Sequence, residues 1–224
     1  MKGKVIISCQ ALPGEPLYDP DRSLMPYMAR AAKQAGSPMI RTNSIRDIKS
    51  IKEETGLPVI GIIKQVYEGY NTYITPTMKE VDALVEAGAE IIALDCTHRR
   101  RGDGITPGEF IKAIKDKYNN QILMADISNY EEGIDAYRHG IDIVSTTMSG
   151  YTDYTPHTDE PDLELVRRLA ADLPIPVIAE GRVHTPEQAV EMLEAGAWAV
   201  IVGGAITRPL EIANRFVSAV IHRE

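Results

Sequence analysis

The sequence is poor in cysteine, which limits the chemistry it can carry. Its two cysteines, Cys9 and Cys96, each lie in an apolar run and form no Cys-x-x-Cys motif. A disulfide framework or a zinc site needs more cysteines or a closer spacing. We therefore expect two buried thiols without a redox role.

Long apolar runs and an excess of basic residues are also absent. The apolar run at residues 5–9 is too short for a signal peptide, and no stretch reaches the roughly 18 apolar residues of a membrane span. With 24 basic and 32 acidic residues, the formal net charge is -8, which argues against a nucleic-acid-binding or basic membrane-binding surface. We expect a cytoplasmic protein with no membrane or nucleic-acid partner, which captures any anion in a local cationic pocket.

Four glycines recur at nearly regular intervals. Gly36, Gly88, Gly140 and Gly196 each follow an amphipathic stretch and precede an apolar one, at intervals of 52, 52 and 56 residues. A glycine in this place ends a helix in the left-handed conformation. Each interval is about twice one strand-plus-helix unit, so the pattern predicts four pairs of such units, as in a (β/α)8 TIM barrel.

The stretches between these glycines complete the eight units. Apolar, β-branched runs typical of a parallel sheet predict strands at residues 5–10, 58–64, 121–127 and 175–180. Amphipathic patterns predict helices at residues 23–35, 44–55, 77–87, 107–118, 130–139, 162–172, 186–195 and 207–222. A doubly wound open sheet is the competing architecture, but the even count and the fourfold recurrence favour a closed barrel. Because no linker or composition shift interrupts the 224 residues, we expect a single barrel domain, residues 1–224.

Polar side chains collect where the predicted strands end, at the face that carries the active site of TIM barrels. The candidates for catalysis and substrate binding are Gln10, Arg41, Lys64, Asp95, Asp126, Thr146 and Glu180. Alternation along a strand places Lys64 on the side of Ile62, and Glu180 on the side of Ile178, so both are expected to point into the barrel. A structural ion pair that plugs the barrel is the simpler alternative. Catalysis is favoured because several charges at one mouth cost desolvation that a purely stabilising core avoids.

Glycines after the last two predicted strands form a second signal. The strings EGR and VGGAITR follow strands 7 and 8, where TIM barrels build phosphate sites from loop backbone N–H groups. A single glycine pair would indicate no more than a tight turn. Two such loops on adjacent strands, together with an arginine that can bind as a fork, predict a phosphate site formed by Gly181, Arg182, Gly203, Gly204 and Arg208.

Other polar segments have simpler interpretations. The run from Asp95 to His98 is rich in potential metal ligands, but the neighbouring strands offer Arg41 and Lys64 instead, so no metal is expected. The basic run at residues 98–101 is interpreted as a charged loop at the site. The segment at residues 151–157 is either a lid or an ordinary surface loop.

Longer strings across the chain are more specific than any of these motifs. They are ISCQALPGEP, MIRTNS, PVIGIIK, ALDCTHRRRGDG, LMADIS, STTMSGYT, PVIAEGRVHTPEQA and AVIVGGAITRP. Together they resemble the bacterial N-acetylmannosamine-6-phosphate 2-epimerases of sialic acid catabolism, from Ile6 to Pro209. The resemblance implies a cofactor-independent barrel that converts N-acetylmannosamine 6-phosphate to N-acetylglucosamine 6-phosphate.

The same resemblance implies roles for individual residues. It implies that Lys64 is the catalytic residue, assisted by Glu180, and that Arg41, Asp126 and Arg208 line the site. It also implies a homodimer, to which we expect the apolar C-terminal helix to contribute.

Epimerisation at C2 needs a base for the C2 proton and a donor for the enolate oxygen of the opened sugar. Lys64 is the expected base, and either it returns the proton itself or Glu180 serves the opposite face. Asp126 is then expected to handle the ring oxygen or the C1 hydroxyl. Burial and Arg41 would lower the pKa of Lys64, whereas Glu180 and the substrate phosphate would raise it.

Three alternatives remain at this point. A ribulose-phosphate-type epimerase would need metal-binding histidines, and a decarboxylase of the DxKxxD kind would need that string, which the sequence lacks. A non-catalytic phosphosugar-binding barrel would leave Lys64 and Glu180 without a purpose.

Overall fold

Eight parallel strands form a closed barrel in chain order in the computed structural model, which describes residues 2–221. β1 pairs with both β2 and β8, so the sheet closes on itself and the TIM barrel prediction is confirmed over the open-sheet alternative. The strands are β1 (Lys4–Cys9), β2 (Ile40–Asn43), β3 (Val59–Ile62), β4 (Ile91–Asp95), β5 (Ile122–Asp126), β6 (Ile143–Ser145), β7 (Val177–Glu180) and β8 (Ala199–Val202).

Helices alternate with the strands on the outside of the barrel. They are α1 (Met25–Gln34), α2 (Ile45–Thr55), α3 (Met78–Glu86), α4 (Pro107–Lys117), α5 (Tyr130–Arg138), α6 (Leu163–Asp172), α7 (Pro186–Glu194), α8 (Gly204–Thr207) and α9 (Pro209–Ile221). The single helix predicted at residues 207–222 is wrong at its start, and residue 222 lies outside the described residues. Arg208 precedes a proline, which disfavours helical backbone at that position, and it lies at φ -119° and ψ 86° between α8 and α9.

The four recurrent glycines all end helices, as predicted. At the end of α1 the N–H of Gly36 donates to the carbonyl of Lys33, and the N–H of Ser37 donates to that of Ala32, each at 3.0 Å. This pair of bonds is the Schellman motif, which needs positive φ at the glycine, and φ of Gly36 is 93°. The same pair of bonds closes α3, α5 and α7. Every second helix therefore stops in the same way before an even-numbered strand.

Apolar side chains fill the barrel interior below the strand ends. Ile60 and Ile62 of β3 and Ile178 of β7 are fully buried in one cluster with residues from the other strands. The outward-facing strand residues pack against the helices in two further clusters. The interior therefore forms an apolar floor for the polar groups that follow it along each strand.

Both cysteines lie in the buried interior of the described chain. Cys9 and Cys96 are buried free thiols, as predicted. Burial, aided by the charge of Asp47, raises the pKa of Cys9 to about 12. None of the helices within residues 2–221 has both the length and the apolar character to cross a membrane.

Candidate active site

A cavity of about 220 Å³ opens at the carboxyl ends of the strands. Most of the residues singled out in the sequence line it, namely Gln10, Arg41, Lys64, Glu180, Gly181, Arg182, Gly203, Gly204 and Arg208. Parallel strands in a closed barrel present their carboxyl ends on one face, so residues far apart in the chain converge there.

Lys64 lies two residues beyond the end of β3 and is held there by its backbone. Its N–H donates to Asn43 Oδ1 at 2.8 Å, and an isolated antiparallel bridge joins it to Ile74. Within residues 2–221 its Nζ takes part in no hydrogen bond or ion pair, so the amine faces the cavity with its lone pair or protons unused. Burial, followed by the positive charges of Arg41 and Arg208, lowers the pKa of Lys64 to about 8.

Arg41 joins two carboxylates beneath the cavity. Its side chain is 1% exposed and binds Asp126 as a fork, with Nη1 to Oδ1 at 3.1 Å and Nη2 to Oδ2 at 2.6 Å. Nη1 also lies 3.3 Å from Oε2 of Glu180. The hydroxyl of Thr147 is 2.6 Å from Asp126 Oδ1 and 3.1 Å from Glu180 Oε2, and its one proton can serve one of them at a time.

The charges of this network explain the proton affinity of Glu180. One guanidinium faces two carboxylates, which leaves one negative charge uncompensated in a largely buried place. Burial is the largest cause that raises the pKa of Glu180, and the charge of Asp126 adds to it, while Arg41 acts in the opposite direction. The pKa of Lys64 is therefore lower than that of an ordinary lysine, and the pKa of Glu180 is higher than that of an ordinary glutamate, so both lie nearer to pH 7.

Three predicted residues lie beneath the cavity wall and are not among its lining residues. Asp126 is fully buried, and both of its oxygens are taken by Arg41 and Thr147. Asp95 is 1% exposed and accepts from Arg99, from Thr97 and from the backbone N–H of Tyr73. Burial raises the pKa of Asp95.

Thr146 is the third of these residues. Its hydroxyl donates to the carbonyl of Glu180 at 2.9 Å and accepts from the N–H of Glu180 at 3.1 Å, which ties the end of β6 to β7. Its neighbour Thr147 lines the cavity instead.

The predicted phosphate residues line one end of the cavity. Gly181 and Arg182 come from the loop after β7, and Gly203, Gly204 and Arg208 follow β8. The hydroxyl of Thr207 donates to the carbonyl of Ser8 at 2.6 Å and so holds this segment against β1.

Arg182 is engaged with the segment at residues 148–162. Its Nε donates to the carbonyl of Glu160 at 3.0 Å, and its guanidinium lies 5.1 Å from the centre of the Tyr151 ring. Its φ of 55° is in the left-handed region, which is strained for a residue other than glycine.

Sequence reasoning missed several lining residues, among them Tyr73, His184 and Glu211. Tyr73 belongs to a loop whose fold the sequence does not reveal. Glu211 carried a usable signal, because it lies three residues beyond Arg208, where two side chains of a helix start can meet. Within residues 2–221 no group of three histidine, cysteine, aspartate or glutamate side chains is arranged to hold a metal ion.

Comparison with known proteins identifies a family. The model of the NanE family, described as N-acetylmannosamine-6-phosphate epimerase, matches residues 25–222. A relative from Caldanaerobacter subterraneus subsp. tengcongensis with the 2-epimerase name is 54% identical and aligns with 100% of this chain and 93% of that protein. One of that name from Clostridioides difficile is 51% identical over 98% of this chain and 97% of its own length.

Two solved structures are similar to this chain, one in both sequence and fold and the other in fold alone. The N-acetylmannosamine-6-phosphate 2-epimerase of Clostridium perfringens superposes with a TM-score of 0.92 at 49% identity, covering 97% of this chain and 93% of that one. A thiamine phosphate pyrophosphorylase from Pyrococcus furiosus superposes with a TM-score of 0.60 at 16% identity over 98% of this chain and 96% of its own. The second match shows the fold alone.

Proposed function

The chain belongs to the N-acetylmannosamine-6-phosphate epimerase family, and from this premise we propose that it interconverts N-acetylmannosamine 6-phosphate and N-acetylglucosamine 6-phosphate. Such a reaction serves sialic acid and amino-sugar catabolism. The observation that carries the proposal is a half-buried amine of lowered pKa, Lys64, in one cavity with Glu180 and a glycine-lined arginine pocket.

The two sugars differ in configuration at C2 alone, which defines the chemistry required. In the open-chain form C2 lies beside the C1 aldehyde, so its proton can leave to a base while the electron pair moves onto the carbonyl oxygen as an enolate. Return of a proton to the other face of C2 completes the inversion. The reaction needs a base, a group that stabilises the enolate oxygen, and an anchor for the phosphate.

Lys64 is proposed as the base. With a pKa of about 8, roughly one lysine in ten is neutral at pH 7, whereas under about one in a thousand would be neutral at the ordinary lysine pKa. The unpaired Nζ in the cavity supports this role, because no bond within residues 2–221 has to be broken before it accepts a proton.

Glu180 is proposed as the partner of Lys64. Its raised pKa makes a protonated carboxyl accessible near neutral pH, so Glu180 can donate a proton to the face opposite Lys64, or can balance the ammonium after proton removal. Both proton routes remain within the proposal. The Arg41 guanidinium, 3.3 Å from Glu180, is the cation available to the enolate oxygen.

Asp126 is proposed to act through Arg41 rather than on the sugar. Its carboxylate is fully buried and fully engaged, so it fixes the guanidinium in place and offsets its charge. Asp95 and Thr146 are likewise proposed as positioning residues, for the Tyr73 loop and for Glu180.

Gln10 and Arg208 are proposed to contact the substrate directly. Gln10 Oε1 is buried at the cavity without a hydrogen-bond partner among the described residues, so it can accept an N–H or O–H of the sugar. Arg208 is proposed to bind the phosphate together with the backbone at Gly203 and Gly204.

The assembly is proposed to be a cytoplasmic homodimer of single-domain chains. None of the residues of α9 is buried, although the helix is rich in apolar residues, among them Phe216, Val217, Val220 and Ile221. A surface of this kind is typical of a protein interface, which supports a contribution of α9 to the dimer.

The decisive experiment follows the C2 proton. Purified protein with N-acetylmannosamine 6-phosphate in deuterated water is expected to form N-acetylglucosamine 6-phosphate and to exchange the C2 hydrogen. The Lys64→Ala variant is expected to lose both reactions, whereas Lys49→Ala, which removes an exposed lysine, is expected to keep them. Binding of the sugar without turnover would instead indicate a non-catalytic phosphosugar-binding barrel. Normal exchange in Lys64→Ala would overturn the assignment of the base.

A further inference from the structure

Glu211 lies in the first turn of α9 and reaches back into the cavity at its phosphate end. Its Oε1 is 3.0 Å from Nη1 of Arg208, and the residue lines the cavity beside Gly204. The other nitrogen of the same guanidinium, Nη2, lies 3.2 Å from Oε1 of Glu15. Two carboxylates therefore already occupy the arginine that is proposed to bind the phosphate.

The Glu211 carboxylate also fills the space next to the glycine backbone. A Cβ atom at position 204 would lie 3.0 Å from Glu211 Cδ and would overlap its Oε2. The overlapping atoms are the end of a flexible side chain, so the observation places an anionic group directly against the Gly204 backbone without making glycine obligatory there. A negatively charged group between a glycine backbone and Arg208 is the arrangement that a phosphate would have in the same place.

We infer that the Glu211 carboxylate stands in the phosphate position of the substrate-free site and that the phosphate must displace it. This inference rests on the proposed function, because it takes Arg208 and Gly204 as the phosphate site. Glu211 is thereby a specificity-determining residue that competes with every anion entering the pocket.

Glu211 rather than Glu15 is the displaceable carboxylate. Glu15 Oε2 accepts the backbone N–H of Leu12 at 3.0 Å and so holds its loop, and its side chain is 29% exposed. Glu211 is 43% exposed, and its bond to Arg208 is its one side-chain hydrogen bond within residues 2–221. It can turn toward solvent with the loss of a single contact.

Displacement has a thermodynamic consequence. A site that is open for only a fraction of the time binds its ligand more weakly by that fraction. The Glu211 carboxylate also limits which anions can bind, since an incoming anion must interact with Arg208 more strongly than this tethered carboxylate does. A phosphate dianion, with a second charge and a third oxygen, meets this requirement where a monoanion does not.

The test is titration of inorganic phosphate by calorimetry into the full-length protein and its variants. Glu211→Gln keeps the size of the side chain and removes its charge, and we expect the Kd for phosphate to fall about two- to fivefold, in the range of a partly exposed ion pair. Glu211→Asp is expected to give a smaller gain, because the shorter carboxylate withdraws from Gly204. Glu194→Gln, at an exposed site on α7, changes the net charge equally and is expected to leave the Kd unchanged.

The kinetic readout separates competition from a structural role. In Glu211→Gln the KM for the 6-phosphorylated sugar is expected to fall with no gain in kcat, while binding of the unphosphorylated sugar stays the same. Unchanged or weaker phosphate binding in both Glu211 variants overturns the inference.

Arg208→Gln distinguishes the two levels of failure. Loss of phosphate binding in this variant, with no gain in either Glu211 variant, removes the stand-in role and leaves the proposed phosphate site intact. Phosphate binding that is unaffected by Arg208→Gln overturns the phosphate site itself, and the stand-in role with it.

Discussion

The barrel mouth makes Lys64 a usable base because it withdraws water from an amine that already has cations beside it. Burial and Arg41 both favour the neutral amine, and the anionic Glu180 opposes them without cancelling their effect. The same burial acts on Glu180 in the opposite direction, since it disfavours the negative charge. One environment thus brings an acid and a base toward a common pKa range.

The pH dependence of kcat/KM follows from this environment. The base must be neutral, so the rate is expected to rise with pH through a pKa of about 8 if Lys64 also returns the proton. If Glu180 donates it, the rate is expected to fall again as Glu180 loses its proton, which gives a bell-shaped profile. Lys64→Arg keeps the positive charge and stays protonated, so it is expected to lower kcat by about 100- to 10,000-fold. Lys49→Arg serves as the exposed control. A pH profile that is flat between about pH 7 and 9 would contradict the role of the amine.

Residue-level predictions from the sequence succeed where strand alternation extends to the end of the strand. Lys64 and Glu180 continue the inward-facing side of Ile62 and Ile178, and both reach the cavity. Alternation from Ser145 would also have selected Thr147 over Thr146, had the end of β6 been known. The sequence does not show that Asp126 and Asp95 lie below the cavity lining, because their position along the barrel axis depends on the register between strands.

At the scale of elements, Arg182 in the loop after β7 contacts the segment at residues 148–162, which contributes Met148 and Tyr151 to the cavity lining. Arg182→Ala removes the bond to Glu160 and the contact with the Tyr151 ring. We expect a higher KM and faster limited proteolysis within this segment, because without these two contacts the segment is held less firmly and Tyr151 is no longer fixed at the cavity. Arg167→Ala, which breaks an exposed helix pair, is the matched control. Equal proteolysis of both variants would show that Arg182 does not hold the segment.

Two glycines in separate parts of the barrel, Gly61 on β3 and Gly203 after β8, distinguish packing from binding. A Cβ at Gly61 would lie 2.8 Å from Ala89 Cβ, within the contact of β3 with its helices, so Gly61→Ala is expected to lower the free energy of unfolding by about 1–3 kcal/mol. A Cβ at Gly203 would meet Ser8 Cβ at an ordinary 3.4 Å. Gly203→Ala is therefore expected to fold with nearly normal stability while it weakens phosphate binding.

Urea unfolding and phosphate titration of the two glycine variants check this contrast. The reverse pattern, with the larger loss of stability at position 203, would contradict it.

Element boundaries were predicted where a residue type is strongly favoured at one end of a helix. Glycine at a helix end and proline at a helix start both meet this condition, as at Gly88 and at Thr106 with Pro107. The capping box of α7 joins Thr185 to Gln188. The division of the last helix at Arg208 escaped prediction because an apolar pattern can continue across a break.

At the scale of the whole molecule, α9 presents an apolar surface that no other part of the described chain covers. Phe216 is 73% exposed on it. In the proposed homodimer, Phe216→Glu is expected to shift the protein from dimer to monomer in light scattering at micromolar concentration, since a charge in an apolar interface is costly. Asn120→Glu adds the same charge at an exposed site away from α9. A monomeric wild-type protein, or a dimer unaffected by Phe216→Glu, would exclude this interface.

Barrel closure was predictable because it depends on repetition rather than on any single residue. Four glycines at three similar intervals predict four pairs of strand-plus-helix units, and the eight parallel strands that result form a closed barrel. The binding partner of an exposed surface such as that of α9 cannot be predicted from a repeating pattern in this way. An apolar helix predicts that something covers it, and the identity of that partner lies in the shape of both surfaces.

The four Schellman turns have a consequence for how this protein can change. Each follows a helix and precedes a strand, so all four sit at the end of the barrel remote from the cavity. Mutations that raise thermal stability can therefore be placed at this end of the barrel without altering the residues of the cavity at the opposite end. For the engineering of a more heat-stable variant, the four turns are suitable positions because they do not contact the cavity.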